Sequence, residues 1–326
     1  MTRSAGRIPA QAPSLGSKMG WMEFVTPANV AAAVLLLIPY LAAAFWGGAT
    51  GARVRALPAW AQTAAPVLLC VPYALVAGAA GKFQWGWFAL YAALPVAIAA
   101  LVRQAAPAGY GAERDTEAQW ELRERGSWRE FVVLAVLGLA VDLRWFESAW
   151  PAHLAIFNKI LLLDAGIYGF VLVRDLEGTG FNLRLRWRDL ATGLREAAFY
   201  TPIGLLLGLG LGFLHMHNAW PGLMPIGGAW VFTFFFIAVP EELFFRGWLQ
   251  NLLERRLGRN AALFLTAALF GLAHFNKRTT SFNWRYVLMA AIAGVFYGRA
   301  WRRDRRVGAS AVTHATVDAI WSLWLR

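Results

Sequence analysis

Cysteine is almost missing from this chain of 326 residues: Cys70 is its one copy, and it lies inside an apolar run. A single thiol excludes an intramolecular disulfide and any metal cluster built on cysteine. Charge is scarce as well, at 15% of residues against roughly a quarter in soluble domains. With 58% of residues hydrophobic, there is too little polar surface for an ordinary soluble domain. No Ser or Cys stands in a nucleophile motif, and the zinc-binding helix pattern H-E-x-x-H is absent. Acids are outnumbered, with 19 Asp and Glu against 31 Lys and Arg for a net charge of +12. The basic residues stand in short loops between apolar runs, which speaks against nucleic-acid binding. They fit cationic cytoplasmic loops, and the 17 tryptophans fit an aromatic belt at the membrane interfaces.

What the sequence has instead is apolar length. Runs at 30–49, 61–80, 85–102, 131–145 and 154–173 approach the ~20 residues that a spanning helix needs. A second set follows at 197–214, 230–249, 261–275, 286–300 and 309–325. The expected fold is all-α, a polytopic transmembrane helical bundle of about 8–10 spans. Residues 1–28 read as a polar, disordered tail, and 103–130 as a mixed-charge loop. The first run starts too late and runs too long for a cleaved signal peptide, so it reads as a retained span. Residues 29–186 form an N-terminal set of helices whose role the sequence does not reveal, and 187–326 carry the chemistry. There is no internal repeat.

The chemistry centres on Val231 to Arg246, VFTFFFIAVPEELFFR. Two adjacent carboxylates, Glu241 and Glu242, sit in a membrane-grade apolar run, which is costly unless they are paired or reactive. Glu242 and Arg246 are four residues apart and share a helix face, so they can form an ion pair. Glu241 points elsewhere and has no local partner. A helix-end salt bridge at the bilayer surface would explain the motif alone.

Two later runs supply partners. FGLAH places Phe270 and His274 on one face of the eighth run, and THATVD places His314 and Asp318 on one face of the last. Gly258, Arg259 and Asn260 mark the turn of a hairpin, and Glu242 and His274 are each sixteen residues from Gly258. Both therefore lie ~24 Å along their helices, at one depth. A carboxylate one turn from an imidazole can fix its tautomer and orientation. Counted back from the 302–306 turn, His314 lies level with about Gly294. Gly294 and Gly298 make a G-x-x-x-G that serves either close helix packing or a homodimer face.

PEELFFRG, FGLAH and HATVD, in this order on three helices, resemble the motifs of the CPBP family of CAAX proteases and bacteriocin-processing proteins, which includes Rce1-type prenyl proteases. The resemblance runs from about residue 187 to the C-terminus. It implies a glutamate-dependent intramembrane endopeptidase acting on a membrane-associated peptide or protein. In that reading Glu241 activates water with help from His274, while Glu242 and Arg246 hold it in place. His314 and residue 318 stabilise the oxyanion, and Phe270 contacts substrate. Where many members carry Asn, this chain has Asp318, which suits orienting or protonating His314 better than donating to an oxyanion. No cofactor is expected. The alternative is zinc held by Glu241, His274 and His314, since two His and one Glu leave the open position that a catalytic zinc needs.

The rival classes are a non-catalytic membrane chaperone or immunity-type protein that binds an apolar peptide, and a transporter with buried carboxylates. A transporter should show broken helices in both halves, and only one such cluster is evident. Asn158, Lys159, Asp164, Asp142 and Arg144 read as structural pairing between spans. His215 and His217 read as a solvated loop rather than a metal site. The expected location is the bacterial inner membrane, multi-pass, with the site opening to the cytoplasm, because Arg184–Arg188, Arg255–Arg259 and Arg302–Arg306 stand in alternate loops. Lys277, Arg278 and Arg285 disagree, falling in a loop on the other side. The orientation predicts that Asn260→Cys, in a chain with Cys70→Ala, resists an impermeant thiol reagent in intact cells; ready labelling from outside would reverse it.

Overall fold

Apolar runs punctuated by Pro, Gly and Arg become ten helices among the residues that the computed structural model describes, 25–105, 125–216, 220, 222–277 and 281–325. These are α1 (Pro27–Arg55), α2 (Ala59–Ala79), α3 (Trp85–Ala105), α4 (Trp128–Asp142) and α5 (Ile156–Val173). The C-terminal half holds α6 (Trp187–Gly210), α7 (Leu223–Leu257), α8 (Arg259–Leu272), α9 (Trp284–Asp304) and α10 (Val307–Trp324). The described residues contain no strand. α1, α2, α3, α5 and α7 are long and apolar enough to cross a membrane, and the other five are shorter or more polar. The fold is the all-α bundle expected. Most of the tail, most of the 103–130 loop, His217 and Arg278 lie outside the described residues.

α7 departs most from the sequence reading. It runs for 35 residues, or ~52 Å, where the hydrocarbon core is ~30 Å thick. Its last turns continue past residue 249 because their charges are matched: Glu254 bridges Arg302 at 2.6 Å and Arg305 at 2.7 Å. Gly258, at φ +80°, reverses the chain in a single residue, and α8 begins at once. α8 has only 14 residues, ~21 Å of helix, so it stops partway into the bundle. His274 consequently lies in the turn beyond α8, not on its last face. Lys277, in the segment between α8 and α9, lines two cavities as well.

α9 and α10 turn at Arg305, which adopts a left-handed φ of 51°. That turn is tighter and later than the 302–306 loop implied, so His314 stands level with Tyr297, one turn below Gly294. The rings of Tyr297 and His314 stack at 4.6 Å. Gly294 and Gly298 face inward. A Cβ on Gly294 would lie 3.1 Å from Ala267, and one on Gly298 would lie 2.4 Å from Leu263. The motif serves close packing of α9 on α8, not a homodimer face.

The two halves are tied together by the segment between α5 and α6. Gly180 O accepts from Val307 N at 3.0 Å, Thr179 O from Trp301 Nε1 at 3.3 Å, and Glu177 O from Asn251 Nδ2 at 2.7 Å. Arg306 binds Asp189 at 2.8 Å and the carbonyls of Asn182 and Arg184. Several arginines counted as cytoplasmic loop charges are therefore structural partners as well. Of the polar residues expected to pair between spans, Asn158 does so, accepting from the Tyr91 hydroxyl at 2.9 Å. Asp164 is 1% exposed, and neither carboxyl oxygen has a hydrogen-bond partner.

Gly180 has φ +70°, and a Cβ there would lie 1.8 Å from the Arg305 carbonyl oxygen. Gly180→Ala should cost at least the ~1–3 kcal/mol of a non-glycine residue in that backbone region. The expected result is a lowered unfolding midpoint of the detergent-purified protein; an unchanged midpoint would contradict this tie.

Candidate active site

The two acids are placed by an irregular stretch of α7. Pro240 has no N–H and cannot continue the helical hydrogen-bond ladder. The chain widens into π-helical turns on either side, at Phe234–Ala238 and Leu243–Gln250. Such wide turns free carbonyl groups and re-aim side chains, and the Phe235 carbonyl accepts from the Tyr40 hydroxyl at 3.1 Å.

Glu242 is fully buried and fully engaged. Its Oε1 lies 3.1 Å from Arg246 Nη1 and 2.8 Å from His314 Nδ1, and Oε2 accepts from the Ser310 hydroxyl. Arg246, also 0% exposed, donates to the Gly294 carbonyl at 2.9 Å and lies 4.6 Å above the Phe270 ring. The i, i+4 ion pair forms as the spacing predicts. Through Glu242 the pair reaches His314, and neither residue hydrogen-bonds to Glu241.

Glu241 is in the opposite situation. Its side chain is 37% exposed, yet Oε2 is buried without a hydrogen-bond partner, 3.9 Å from His314 Nε2. Asp318 Oδ2 lies 3.5 Å from the same nitrogen. With Nδ1 donating to Glu242, His314 turns its Nε2 edge to Glu241 and Asp318. The packing of α10 against α7 brings His314 and Glu241 together.

His274 does not pair with Glu242, its expected neighbour in depth. Its Nδ1 lies 2.8 Å from the Phe270 carbonyl. A carbonyl only accepts, so Nδ1 carries the hydrogen and, in the neutral ring, Nε2 keeps its lone pair. The ring is held between Phe270 and Tyr286, with centroids at 4.9 and 4.8 Å. Phe270, expected to contact substrate, touches a cavity but is only 2% exposed. Its faces are occupied by Phe245, Arg246, His274 and His314, so it braces the site.

Two cavities meet at Glu241. One, of about 270 Å³, lies toward α6, α9 and α10 and includes Tyr200, His314, Asp318 and Trp321. The other, of about 340 Å³, lies toward α4 and α5. Ile237, Glu241, His274 and Lys277 line both. Among the described residues, no group of three or more His, Cys, Asp or Glu that could hold a metal ion is found.

Ser310 and Tyr297 escaped the sequence reading. Ser310 was legible: with His314 and Asp318 it forms an i, i+4, i+8 stripe on α10. Tyr297 was not, because its stacking depends on where the α9–α10 turn falls.

A family model described as type II CAAX prenyl endopeptidase Rce1-like matches residues 223–320. The match opens at the first residue of α7, not near 187, and takes in all the residues around Glu242 described above. No curated protein matches the chain, and no solved structure does.

Arg246→Met should lose about 3–5 kcal/mol of stability, because it strands a buried charge. The double variant Glu242→Gln/Arg246→Met should recover part of that loss, because removing both partners costs less than removing one. Unfolding midpoints in detergent would measure the coupling; strictly additive losses would refute it.

Proposed function

We propose that this integral membrane protein, with its Rce1-like domain at 223–320, is an intramembrane endopeptidase that cleaves a membrane-associated peptide or protein by glutamate-activated water. The observation that carries this reading is the contrast between adjacent acids. Glu242 is saturated by Arg246, Ser310 and His314, whereas Glu241 keeps a buried carboxylate oxygen free beside His274 and His314. A structural acid in an apolar bundle has every reason to be fully hydrogen-bonded; one whose buried oxygen lacks a hydrogen bond beside a cavity is suited to taking a proton.

Water bound between Glu241 and the Nε2 of His274 gives a proton to the Glu241 carboxylate as its oxygen bonds to the scissile carbonyl carbon. His314 faces the oxygen that gains negative charge and donates to it. When the tetrahedral carbon collapses, the C–N bond breaks and the departing nitrogen takes the proton from Glu241. Glu242, Arg246 and Ser310 orient His314, and Asp318 steadies its Nε2 edge. No metal takes part. The Arg-rich ends of α7 and α9 face the cytoplasm of a bacterial inner membrane.

Glu241→Gln and His274→Ala should each lower peptide hydrolysis by about 10²–10⁴-fold, with the protein still folded and membrane-inserted. Turnover by pure Glu241→Gln at the wild-type rate would refute the assignment. Treatment with a metal chelator should leave activity intact; loss on stripping and recovery with zinc would assign Glu241, His274 and His314 to a metal instead.

A further inference from the structure

The cavity toward α4 and α5 takes one wall from those two helices, which lie outside the family match, and the other from α7 and the turn after α8, which lie inside it. Its walls are apolar, with Leu137 and Val141 from α4, Ile160 and Leu163 from α5, and Phe236 and Phe244 from α7. Two of its lining residues, Ile156 on α5 and Phe232 on α7, are 38% and 56% exposed. One end is polar: Asp142 and Lys159 join Glu241, His274 and Lys277 there. Lys159 was expected to pair between spans, yet among the described residues no ion pair joins it to Asp142 or Asp164.

We infer that this cavity is a specificity pocket, holding a bulky apolar side chain of the peptide on one side of the scissile bond. The inference rests on the endopeptidase reading above, because the cavity's polar end is also the place where Glu241 and His274 meet substrate. An apolar side chain fits the walls. The attached backbone brings N–H and C=O groups that are costly to bury unpaired, and Asp142 can accept while Lys159 donates. A lipid acyl chain would need only the apolar walls and would leave that polar end without a task. The volume of about 340 Å³ sits at the lower end of the ~300–1,000 Å³ usual for ligand pockets, suiting a short segment. The second cavity, toward α6, α9 and α10, then takes the other side of the bond. Helices α4 and α5 thus acquire a role in substrate selection.

The test uses the full-length Glu241→Gln protein in detergent and an apolar synthetic peptide carrying one photoreactive benzoylphenylalanine. A diazirine fatty acid serves as the second probe. The peptide is expected to label residues within 137–163, with protection by the matching Phe peptide. Labelling only around 200–205 or 286–321, no labelling, or labelling by the fatty acid alone would overturn the pocket. In otherwise wild-type protein, Ile160→Trp should lower the kcat/KM ratio for Phe over Ala at the selected position by about tenfold or more. An equal loss for both substrates would mark Ile160 as merely structural and count against the pocket. The two readings fail separately. Peptide labelling of α4 and α5 without cleavage by the wild type sinks the endopeptidase, whereas cleavage without that labelling sinks the pocket.

Discussion

The buried pair of Glu242 and Arg246 is the constraint from which the rest of the C-terminal half follows. Two charges at 0% exposure cannot be left without partners, because desolvation alone costs several kcal/mol per ion. The structure meets that cost by convergence. α9 contributes the Gly294 carbonyl and α10 contributes Ser310 and His314, while aromatic rings from α7, α8 and α9 close over the guanidinium. Each contact needs a close approach. The inward-facing Gly294, where a Cβ would be tight, and Gly298, where one would clash, are how α9 comes near enough.

That convergence leaves one acid over. Glu241 is adjacent in sequence, but the widened turns around Pro240 aim it at the junction of two cavities, where no donor meets Oε2. The polar network is thus saturated on one side of α7 and open on the other. His274 and His314 reach that opening from different elements and in different ways. Phe270 fixes the tautomer of one through its carbonyl, and Glu242 fixes that of the other. His274 reaches the opening from the turn just after α8.

Charge has a second use at the Arg-rich end. Arg302, Arg305 and Arg306 bind Glu254 and Asp189, and the segment before α6 threads between them. These links fasten α6, α7, α9 and α10 to one another at that end.

Much of this was legible in the chain. Apolar runs of this length separated by Arg and Gly dictate a membrane bundle, because a helix satisfies its backbone within its own segment inside a bilayer. The i, i+4 spacings of Glu242 with Arg246 and of His314 with Asp318 determine which side chains share a face, because those distances are local. What lay beyond the sequence was set by positions where small shifts propagate. A turn at Arg305 instead of 304 moved His314 from Gly294 to Tyr297. The early end of α8 put His274 in a loop and Lys277 beside the cavities. The imidazole beside Glu242 is His314 and not His274, and Phe270, which lines a cavity, is packed among Phe245, Arg246, His274 and His314. Local periodicity specifies the faces of each helix, but depth and azimuth between helices depend on where each turn ends and how closely neighbours approach. Only the packed tertiary structure decides those, and with them which acid is bound and which is free.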